Sequence, residues 1–365
     1  MNRQQDVPVS EFLDRLSKSG ILSEGQLNEV SATINVDNVD RDADARRFAQ
    51  ELVEKRMLTD WQTRVLCGSE DGELAIGEYV ILEHIGEGGM GRVYKARHRQ
   101  TAKIVAVKLL NPQSASDESA VRRFKREIET ASRLKHPNIV ATLGSGEQAG
   151  HQFLVMEFVD GHDLASLVRN NEQLPVQTAV DCITRAARGL IYSHAEQVIH
   201  RDIKPSNLLL SRTGEIRVLD MGLARIVGDI GPGEQTQTQI TKTGSIMGTV
   251  DFMAPEQALN PKKADGRADI YSLGCTLFFL LTGEKPYPGE TVMEVLVAHR
   301  EAPIPSLTAA RKDVPTSLGT VFRKMVAKQP GDRYQSMTEV VSALESCLAE
   351  HGLAWLMQKV KAAKR

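Results

Sequence analysis

The sequence has few cysteines, and none of them is placed to form a pair or a metal site. The four are scattered, with no Cys-x-x-Cys spacing: Cys67, Cys182, Cys275 and Cys347. Such usage excludes a disulfide framework and is typical of a reducing compartment. The sequence also lacks an uninterrupted apolar run of about 18 residues, which a membrane helix would need. We therefore expect a cytoplasmic protein without a membrane span.

An excess of charge of either sign is also lacking. The 365 residues include 45 Lys and Arg against 47 Asp and Glu, a formal net charge of −2. A bulk positive field that would attract nucleic acid or an anionic membrane is thereby excluded. Apolar residues make up 41% of the chain and charged residues 25%, so the chain can bury a core. Its length predicts two domains, or one large domain with an appendage.

The first 75 residues contain a weak internal repeat with a period of 36 residues. The matched positions are Phe12, Leu16, Ile21, Leu22, Ser23 and Gln26 in one copy, and Phe48, Leu52, Met57, Leu58, Thr59 and Gln62 in the other. Each copy predicts a short amphipathic helix, a turn, and a second helix that opens with a capping box. Two packed helical hairpins explain this pattern without a binding function, and a docking or autoinhibitory module is the alternative. We assign residues 1–75 to a small helical N-terminal module of unknown role.

From Glu78 the pattern changes to short strands, and beyond Gly161 it becomes mainly helical. Strands are predicted over 79–82, 92–97, 104–109 and 153–158, and a helix over 119–134. Later helices are predicted over 164–171, 176–196, 267–283, 291–300, 316–327 and 337–349. A small β-rich half followed by a larger helical half predicts an α+β fold of two lobes, whose junction is a natural ligand cleft. We expect this domain to span residues 79–349, with a basic helical tail over 350–365.

A glycine-rich segment, Gly86-Glu-Gly-Gly-Met-Gly91, follows the first of these strands. The same spacing marks dinucleotide sites, but those require a helix directly after the last glycine. Here the chain continues as Arg92-Val-Tyr-Lys-Ala-Arg97, whose alternation predicts a second strand. The glycines are therefore expected at the tip of a hairpin, where the backbone can approach phosphates closely. A P-loop is excluded, because the chain contains no Gly-x-x-x-x-Gly-Lys-Ser/Thr motif.

A lysine and a glutamate beyond this hairpin are candidates for phosphate binding. Lys108 ends an otherwise apolar strand that begins at Ile104. It is either a surface lysine with a buried stem or a cation directed at the α- and β-phosphates of a nucleotide. Glu127, on the predicted helix that follows, is the carboxylate best placed to hold it.

The segment His200-Arg-Asp-Ile-Lys-Pro-Ser-Asn207 concentrates groups suited to phosphoryl transfer. Asp202 can accept a proton from a hydroxyl, and Lys204 can offset charge on the transferring phosphoryl group. Asn207 and Asp220 carry the oxygens that Mg²⁺ prefers. Each residue alone has an ordinary structural explanation, but chance explains their order and spacing poorly.

Residues 79 to about 349 resemble a protein kinase domain, and their motifs are closest to those of the bacterial, eukaryotic-like (Hanks-type) serine/threonine kinases. Lys204, two residues after Asp202, and the pair Gly248-Thr249 favour Ser or Thr over Tyr as acceptor. The resemblance implies a bilobal kinase fold, the cofactors ATP and Mg²⁺ (or Mn²⁺ in its place), and protein substrates bearing Ser or Thr. The segments that carry the resemblance are Gly86–Val93, Val105–Lys108, Glu127, His200–Asn207, Asp220–Gly222, Ala254–Glu256, Asp269 and Arg333.

The same resemblance implies a role for each matched residue. Asp202, Lys204 and Asn207 are implied as catalytic, and Asn207 with Asp220 as metal ligands. The residues implied as structural support are Arg201, Glu256, Asp269 and Arg333. Those implied in ATP binding are Ile85, Gly86, Glu87, Gly88, Gly89, Met90, Gly91, Arg92, Val93, Ala106, Lys108, Glu127, Met156, Glu157, Val159 and Leu209.

Activation by phosphorylation is a further implication of the resemblance. Arg201 directly precedes Asp202, as in kinases that depend on a phosphorylated activation loop. Thr241 and Thr243 lie eight and six residues before Thr249, the spacing at which similar bacterial kinases carry phosphothreonine. We therefore expect autophosphorylation at these two threonines, with self-association of two chains as its partner interaction.

One position departs from the family pattern. Met221 stands where the family has Phe in its Asp-Phe-Gly motif. Methionine is apolar and flexible, so it can fill the same space while holding the active arrangement less firmly than a ring. We expect an active serine/threonine kinase, and the alternative is a nucleotide-binding scaffold or regulatory pseudokinase with little turnover.

Overall fold

The computed structural model describes residues 7–36, 45–88, 91–110, 128, 131–148, 150–171, 173–221, 250–260 and 264–362. The chain divides into two compact units. The first comprises Met1–Asp117 and Leu143–Phe158, and the second comprises Glu118–Thr142 and Val159–Arg365. A β-rich unit and a helical unit are therefore present, as the sequence predicts.

The first unit begins with the helices of the predicted repeat. They are α1 (Val9–Ser19), α2 (Glu24–Val36), α3 (Ala45–Glu54) and α4 (Asp60–Leu66). Phe12 and Phe48, at equivalent positions of the repeat, pack edge to face with ring centroids 6.0 Å apart. Both predicted capping boxes form: Gln62 and Thr59 satisfy each other's backbone N–H at the start of α4, and Gln26 and Ser23 do so at the start of α2.

The remainder of the first unit is a six-stranded sheet. Its strands are β1 (Ala75–Ile76), β2 (Tyr79–Gly88), β3 (Gly91–His98), β4 (Ile104–Leu110), β5 (Thr142–Gln148) and β6 (His151–Glu157). They are ordered β1-β2-β3-β4-β6-β5, and the pairings from β1 to β4 and of β4 with β6 are antiparallel. Strand β5 was not predicted, because Thr-Leu-Gly-Ser-Gly-Glu-Gln shows little apolar alternation.

The two faces of this sheet have different neighbours, because side chains alternate along each strand. One face packs against Trp61 of α4, and the buried residues of that cluster include Tyr94, Val107 and Val155. The intervening positions lie on the opposite face. Cross-strand register places Val93 beside Lys108, and Ala106 beside Met156, on that second face.

The second unit is mainly helical. Its elements are β7 (Gly161–Asp163), α5 (Leu164–Asn171), α6 (Val176–Ala195), β8 (Leu208–Ser211), β9 (Ile216–Val218), α7 (Pro255–Leu259), α8 (Gly266–Thr282), α9 (Val292–Glu301), α10 (Leu307–Ala310), α11 (Thr316–Met325) and α12 (Met337–Ala362). Helix α8 is buried along almost its whole length and lies in the centre of the core with α6. Strands β7, β8 and β9 form a small antiparallel sheet.

The helices predicted beyond residue 161 are confirmed, most with ends shifted by one or two residues. The last is longer than predicted, because α12 continues without interruption to Ala362. The helix predicted over 119–134 lies outside the described residues except for positions 128 and 131–134. Across the described ranges, no helix is long and apolar enough to span a membrane.

Candidate active site

The loop between α6 and β8 holds the carboxylate of Asp202 in a defined position. Lys204 Nζ lies 2.9 Å from Asp202 Oδ2. Asn207, which ends a short 3-10 turn, donates through Nδ2 to Asp202 O at 2.7 Å and to Oδ2 at 3.1 Å. One charged and one neutral donor therefore fix this carboxylate, which is still partly exposed to solvent.

Asp269, in the first turn of α8, anchors the backbone of the same loop. Its Oδ2 accepts from His200 N at 2.9 Å and its Oδ1 from Arg201 N at 2.8 Å. His194 Nε2 lies 2.8 Å from the same Oδ2. Burial alone would raise the pKa of Asp269, but these hydrogen bonds and the nearby histidines lower it. The charged form can therefore hold the loop.

The ring of His200 joins this loop to the end of β9. The side chain is fully buried, its Nε2 lies 2.6 Å from Leu219 O, and its Nδ1 accepts from Asp202 N at 3.2 Å. Leu219 N in turn donates to Asn207 O at 2.9 Å. Since Asp220 follows Leu219, these contacts place the two predicted metal ligands, Asn207 and Asp220, in one local structure.

Two residues of this structure adopt left-handed backbone conformations. Arg201 has φ 66° and Asp220 has φ 55°. This region costs a residue other than glycine on the order of 1–3 kcal/mol, so the surroundings must impose it. For Arg201 they do so from both sides, because Asp269 accepts from its N–H and Gln257 Nε2 donates to its carbonyl at 2.6 Å.

The oxygen ligands at this site suit a Mg²⁺ ion that the protein coordinates only in part. Within the described ranges, no cluster of three His, Cys, Asp or Glu side chains could enclose an ion. Asn207 directs its amide nitrogen to Asp202, which turns its amide oxygen toward other partners. One amide oxygen and the Asp220 carboxylate are hard ligands of the kind Mg²⁺ accepts when phosphates and water complete its shell.

The predicted glycine hairpin forms between β2 and β3. Gly88 pairs with Gly91 across the turn, and the turn residues Gly89 and Met90 lie outside the described residues. Gly91 has φ 142°, and a Cβ there would lie 1.9 Å from Leu109 O. Only glycine therefore allows β3 to approach β4 this closely.

Of the remaining ATP-binding candidates, four share the face of the sheet opposite Trp61. Lys108, Ala106 and Met156 are buried there and Val93 is half-buried. Glu157 pairs with Val105 on the Trp61 face, so its backbone is the part suited to ligand binding. The other ATP-binding candidates are placed as follows: Ile85, Gly86, Glu87 and Arg92 lie on the hairpin, Val159 and Leu209 are half-buried in the second unit, and Glu127 lies outside the described residues. The predicted phosphorylation sites Thr241 and Thr243 also lie outside the described residues.

Arg333 and Glu256, two members of the predicted support group, form a bidentate ion pair. Arg333 Nη1 and Nη2 each lie 2.7 Å from one oxygen of Glu256. The other three N–H groups of Arg333 donate to the carbonyls of Ala327, Arg267 and Lys328. All five donors of this fully buried guanidinium therefore have an acceptor.

His194 and Gln257 were not among the predicted site residues, and the placement of Met221 was open. His194 and Gln257 both contact the anchored loop, through Asp269 and Arg201 respectively. Neither had a local signal, because each contact joins residues more than 50 positions apart. Met221 is buried in the core of the second unit.

The larger part of this chain is similar to known proteins. A family model described as "Protein kinase domain" matches residues 79–344. The serine/threonine-protein kinase PknB of Mycobacterium leprae (strain TN) is 38% identical over 267 residues, which are 72% of this chain and 42% of that protein. The serine/threonine-protein kinase PrkC of Bacillus subtilis (strain 168) is 36% identical over 275 residues, 75% of this chain and 41% of that protein. The chain thus spans about two-fifths of the length of these relatives.

A solved structure is also similar to this chain. The crystal structure of the Mycobacterium tuberculosis PknI kinase domain aligns with a TM-score of 0.59 at 29% identity. The alignment covers 74% of this chain and 97% of that one. Helices α1–α4 precede the residues that the family model matches.

Proposed function

The chain belongs to the protein kinase family, and from that premise we propose that it transfers the γ-phosphoryl group of ATP to serine and threonine hydroxyls of proteins. The observation that carries this proposal is the set of contacts that hold the carboxylate of Asp202. Its carboxylate lies between Lys204 Nζ and Asn207 Nδ2, on a loop whose backbone Asp269 anchors. A carboxylate held this way can accept a proton without a change of position.

The proposed reaction assigns each group a definite part. The acceptor hydroxyl gives its proton to Asp202 while its oxygen forms a bond to the γ-phosphorus of ATP. The bond from that phosphorus to the bridging oxygen of the β-phosphate breaks, and ADP leaves. Lys204, 2.9 Å from Asp202, donates to an oxygen of the transferring group and offsets its charge.

Nucleotide and metal binding follow from the remaining residues. On the sheet, Lys108 supplies a cation for the α- and β-phosphates, and Val93, Ala106 and Met156 supply an apolar surface for the base. Asn207 and Asp220 supply oxygen ligands for Mg²⁺. When bound, Mg²⁺ offsets the negative charge of the phosphates, and Mn²⁺ accepts the same ligands.

Replacing Asp202 with asparagine tests this proposal. Asparagine keeps the shape of the side chain but cannot take the proton, so we expect phosphoryl transfer to fall by on the order of 10²-fold or more while ATP still binds. Initial rates with radiolabelled ATP and nucleotide titration measure the two properties. Asp181→Asn, which removes a carboxylate from an exposed ion pair with Arg185, is the matched control.

Near wild-type transfer by Asp202→Asn would contradict the assignment of the base. A wild-type chain that binds ATP without transferring phosphate would instead favour the scaffold alternative. The substrate class is part of the proposal, so the acceptor residues are read by phosphosite mapping.

Two further properties are proposed with this function. Two paired chains would phosphorylate each other at Thr241 and Thr243, and the phosphate groups would supply negative charge that Arg201 can bind. Arg201 directly precedes Asp202, and Asp269 and Gln257 hold its backbone from two sides. This fixed position next to Asp202 supports the proposal that Arg201 links phosphorylation to activity. A cytoplasmic location is supported by the cysteines, all of which are free thiols in the structure.

A further inference from the structure

The N-cap residue of helix α4, Thr59, and Gln62 in its first turn contact two consecutive carbonyls of β2. Thr59 Oγ1 donates to Leu82 O at 2.6 Å, and Gln62 Nε2 donates to Ile81 O at 2.6 Å. Gln62 is almost fully buried. The same two side chains also form the capping box of α4, so their positions are fixed by the helix from which they extend.

These carbonyls lie where the register of β2 changes. Ile81 pairs with Ala96 on β3 and Glu83 with Lys95, so Leu82 is the extra residue of a β-bulge. On the outer side of β2, β1 pairs only with Tyr79 and Val80. The last backbone bond on this side runs from Ile81 N to Leu74 O at 3.0 Å, and Thr59 and Gln62 then supply the hydrogen bonds to the carbonyls of Ile81 and Leu82 at the bulge.

The bulge stands directly before the glycine hairpin. Four residues after Leu82, the strand reaches Gly86, and a second register shift separates His84 from Gly86. A bulge bends its strand and increases the local twist, so it sets the direction in which the following residues extend. Contacts that fix the bulge at Leu82 therefore also fix the direction in which residues 85–88 extend.

We propose that Thr59 and Gln62 are positioning residues for the glycine hairpin, so that ATP affinity depends on a helix outside the residues matched to the kinase family. The inference rests on the proposed function, because it assumes that the hairpin covers the phosphates of ATP. Neither residue is among the candidates for ATP binding. Both act through the carbonyls of Ile81 and Leu82.

The internal repeat provides a matched control. Ser23 and Gln26 form the equivalent capping box of α2, with Ser23 N donating to Gln26 Oε1 at 3.0 Å. Both side chains are exposed, and their hydrogen bonds stay within the start of α2. A change at Gln26 therefore alters a capping box of the same kind without touching a strand.

The test uses the full chain, because α4 also contributes the buried Trp61 to the sheet. Gln62→Glu keeps an acceptor oxygen for Thr59 N but places a second oxygen against Ile81 O. We expect KM for ATP to rise about three- to tenfold with kcat within twofold of wild type, as for the loss of one buried hydrogen bond. Gln26→Glu should leave both constants within twofold.

Two further variants separate positioning from stability. Thr59→Ser keeps the hydroxyl and should match wild type, whereas Thr59→Val should raise KM as Gln62→Glu does. An unchanged KM in both Gln62→Glu and Thr59→Val would overturn the proposal. So would an equal rise in Gln26→Glu, or a fall in kcat with KM unchanged.

Amide hydrogen exchange gives a readout that needs no turnover. Exchange in the peptide covering residues 81–88 should be faster in Gln62→Glu than in wild type and unchanged in Gln26→Glu. If wild type binds no ATP and transfers no phosphate, the proposed function fails while this exchange comparison still decides whether α4 fixes the strand. Equal exchange in all three proteins would show that it does not.

Discussion

Arg333→Lys should destabilise the helical unit strongly, although it conserves charge. The guanidinium of Arg333 is fully buried and has five acceptors, two of them the oxygens of Glu256. Lysine has three donors at a single nitrogen, so it cannot bridge both carboxylate oxygens and also reach three carbonyls. At least two acceptors therefore lose their partner.

The structure sets the size of the effect. Leaving a buried acceptor without its hydrogen-bond donor typically costs about 1–3 kcal/mol, and Arg333→Lys does this to at least two acceptors. The side chain of Glu256 is 21% exposed, so water can reach part of its carboxylate. We therefore expect the lower end of the summed cost, about 2–3 kcal/mol, for Arg333→Lys.

A second arginine of the same unit provides the comparison. Arg267 also bridges both oxygens of a carboxylate, that of Asp265, but the two side chains are 32% and 51% exposed. For such an exposed pair, Arg267→Lys should cost less than about 1 kcal/mol. Urea denaturation followed by circular dichroism compares the two midpoints with wild type. Equal midpoint shifts, or a wild-type midpoint for Arg333→Lys, would refute the reasoning.

Two predictions concern pH and phosphorylation. Burial lowers the pKa of His299 from 6.5 to about 4, so on acidification the unfolded chain protonates this histidine before the folded chain does. The free energy of unfolding is therefore unaffected above pH 6.5 and falls by about 3 kcal/mol by pH 4. His299→Gln should therefore weaken the pH dependence of the unfolding free energy across this window in denaturant titrations, and an unaltered dependence would count against the assignment. Thr241→Ala/Thr243→Ala should lower the autophosphorylation rate at least several-fold, with phosphate mapped by mass spectrometry to one or both threonines of the active wild type. A fully active preparation with both threonines unmodified would rule this mechanism out.

The sequence was sufficient where the information is local. Alternating residues predicted strands β2, β3, β4 and β6, and the position of the last glycine predicted a hairpin. The resemblance to a kinase and its α+β fold is confirmed by the family match over residues 79–344. The capping box of Thr59 and Gln62 was visible for the same reason, since its partners are three residues apart.

Contacts between distant segments were not accessible in the same way. The hydrogen bonds from Thr59 and Gln62 to β2 span about 20 residues, and nothing in a capping box indicates which strand it will meet. His194 meets the loop between α6 and β8 through Asp269 of α8, and Gln257 of α7 meets it through the carbonyl of Arg201, and both contacts join distant segments. Burial decides these contacts, and burial depends on the whole fold.

The first unit is built from two separate stretches of chain, and this has a consequence for its synthesis on the ribosome. Strand β4 pairs with β6, and about 40 residues separate the end of β4 from the start of β6. At 5–20 residues per second, a ribosome needs on the order of 2 to 8 s to make them. During this interval one edge of β4 awaits its partner, and an open strand edge is a site for aggregation. Helices α1–α4 are already synthesised by then, so Trp61 can cover one face of the unfinished sheet while its last strands emerge.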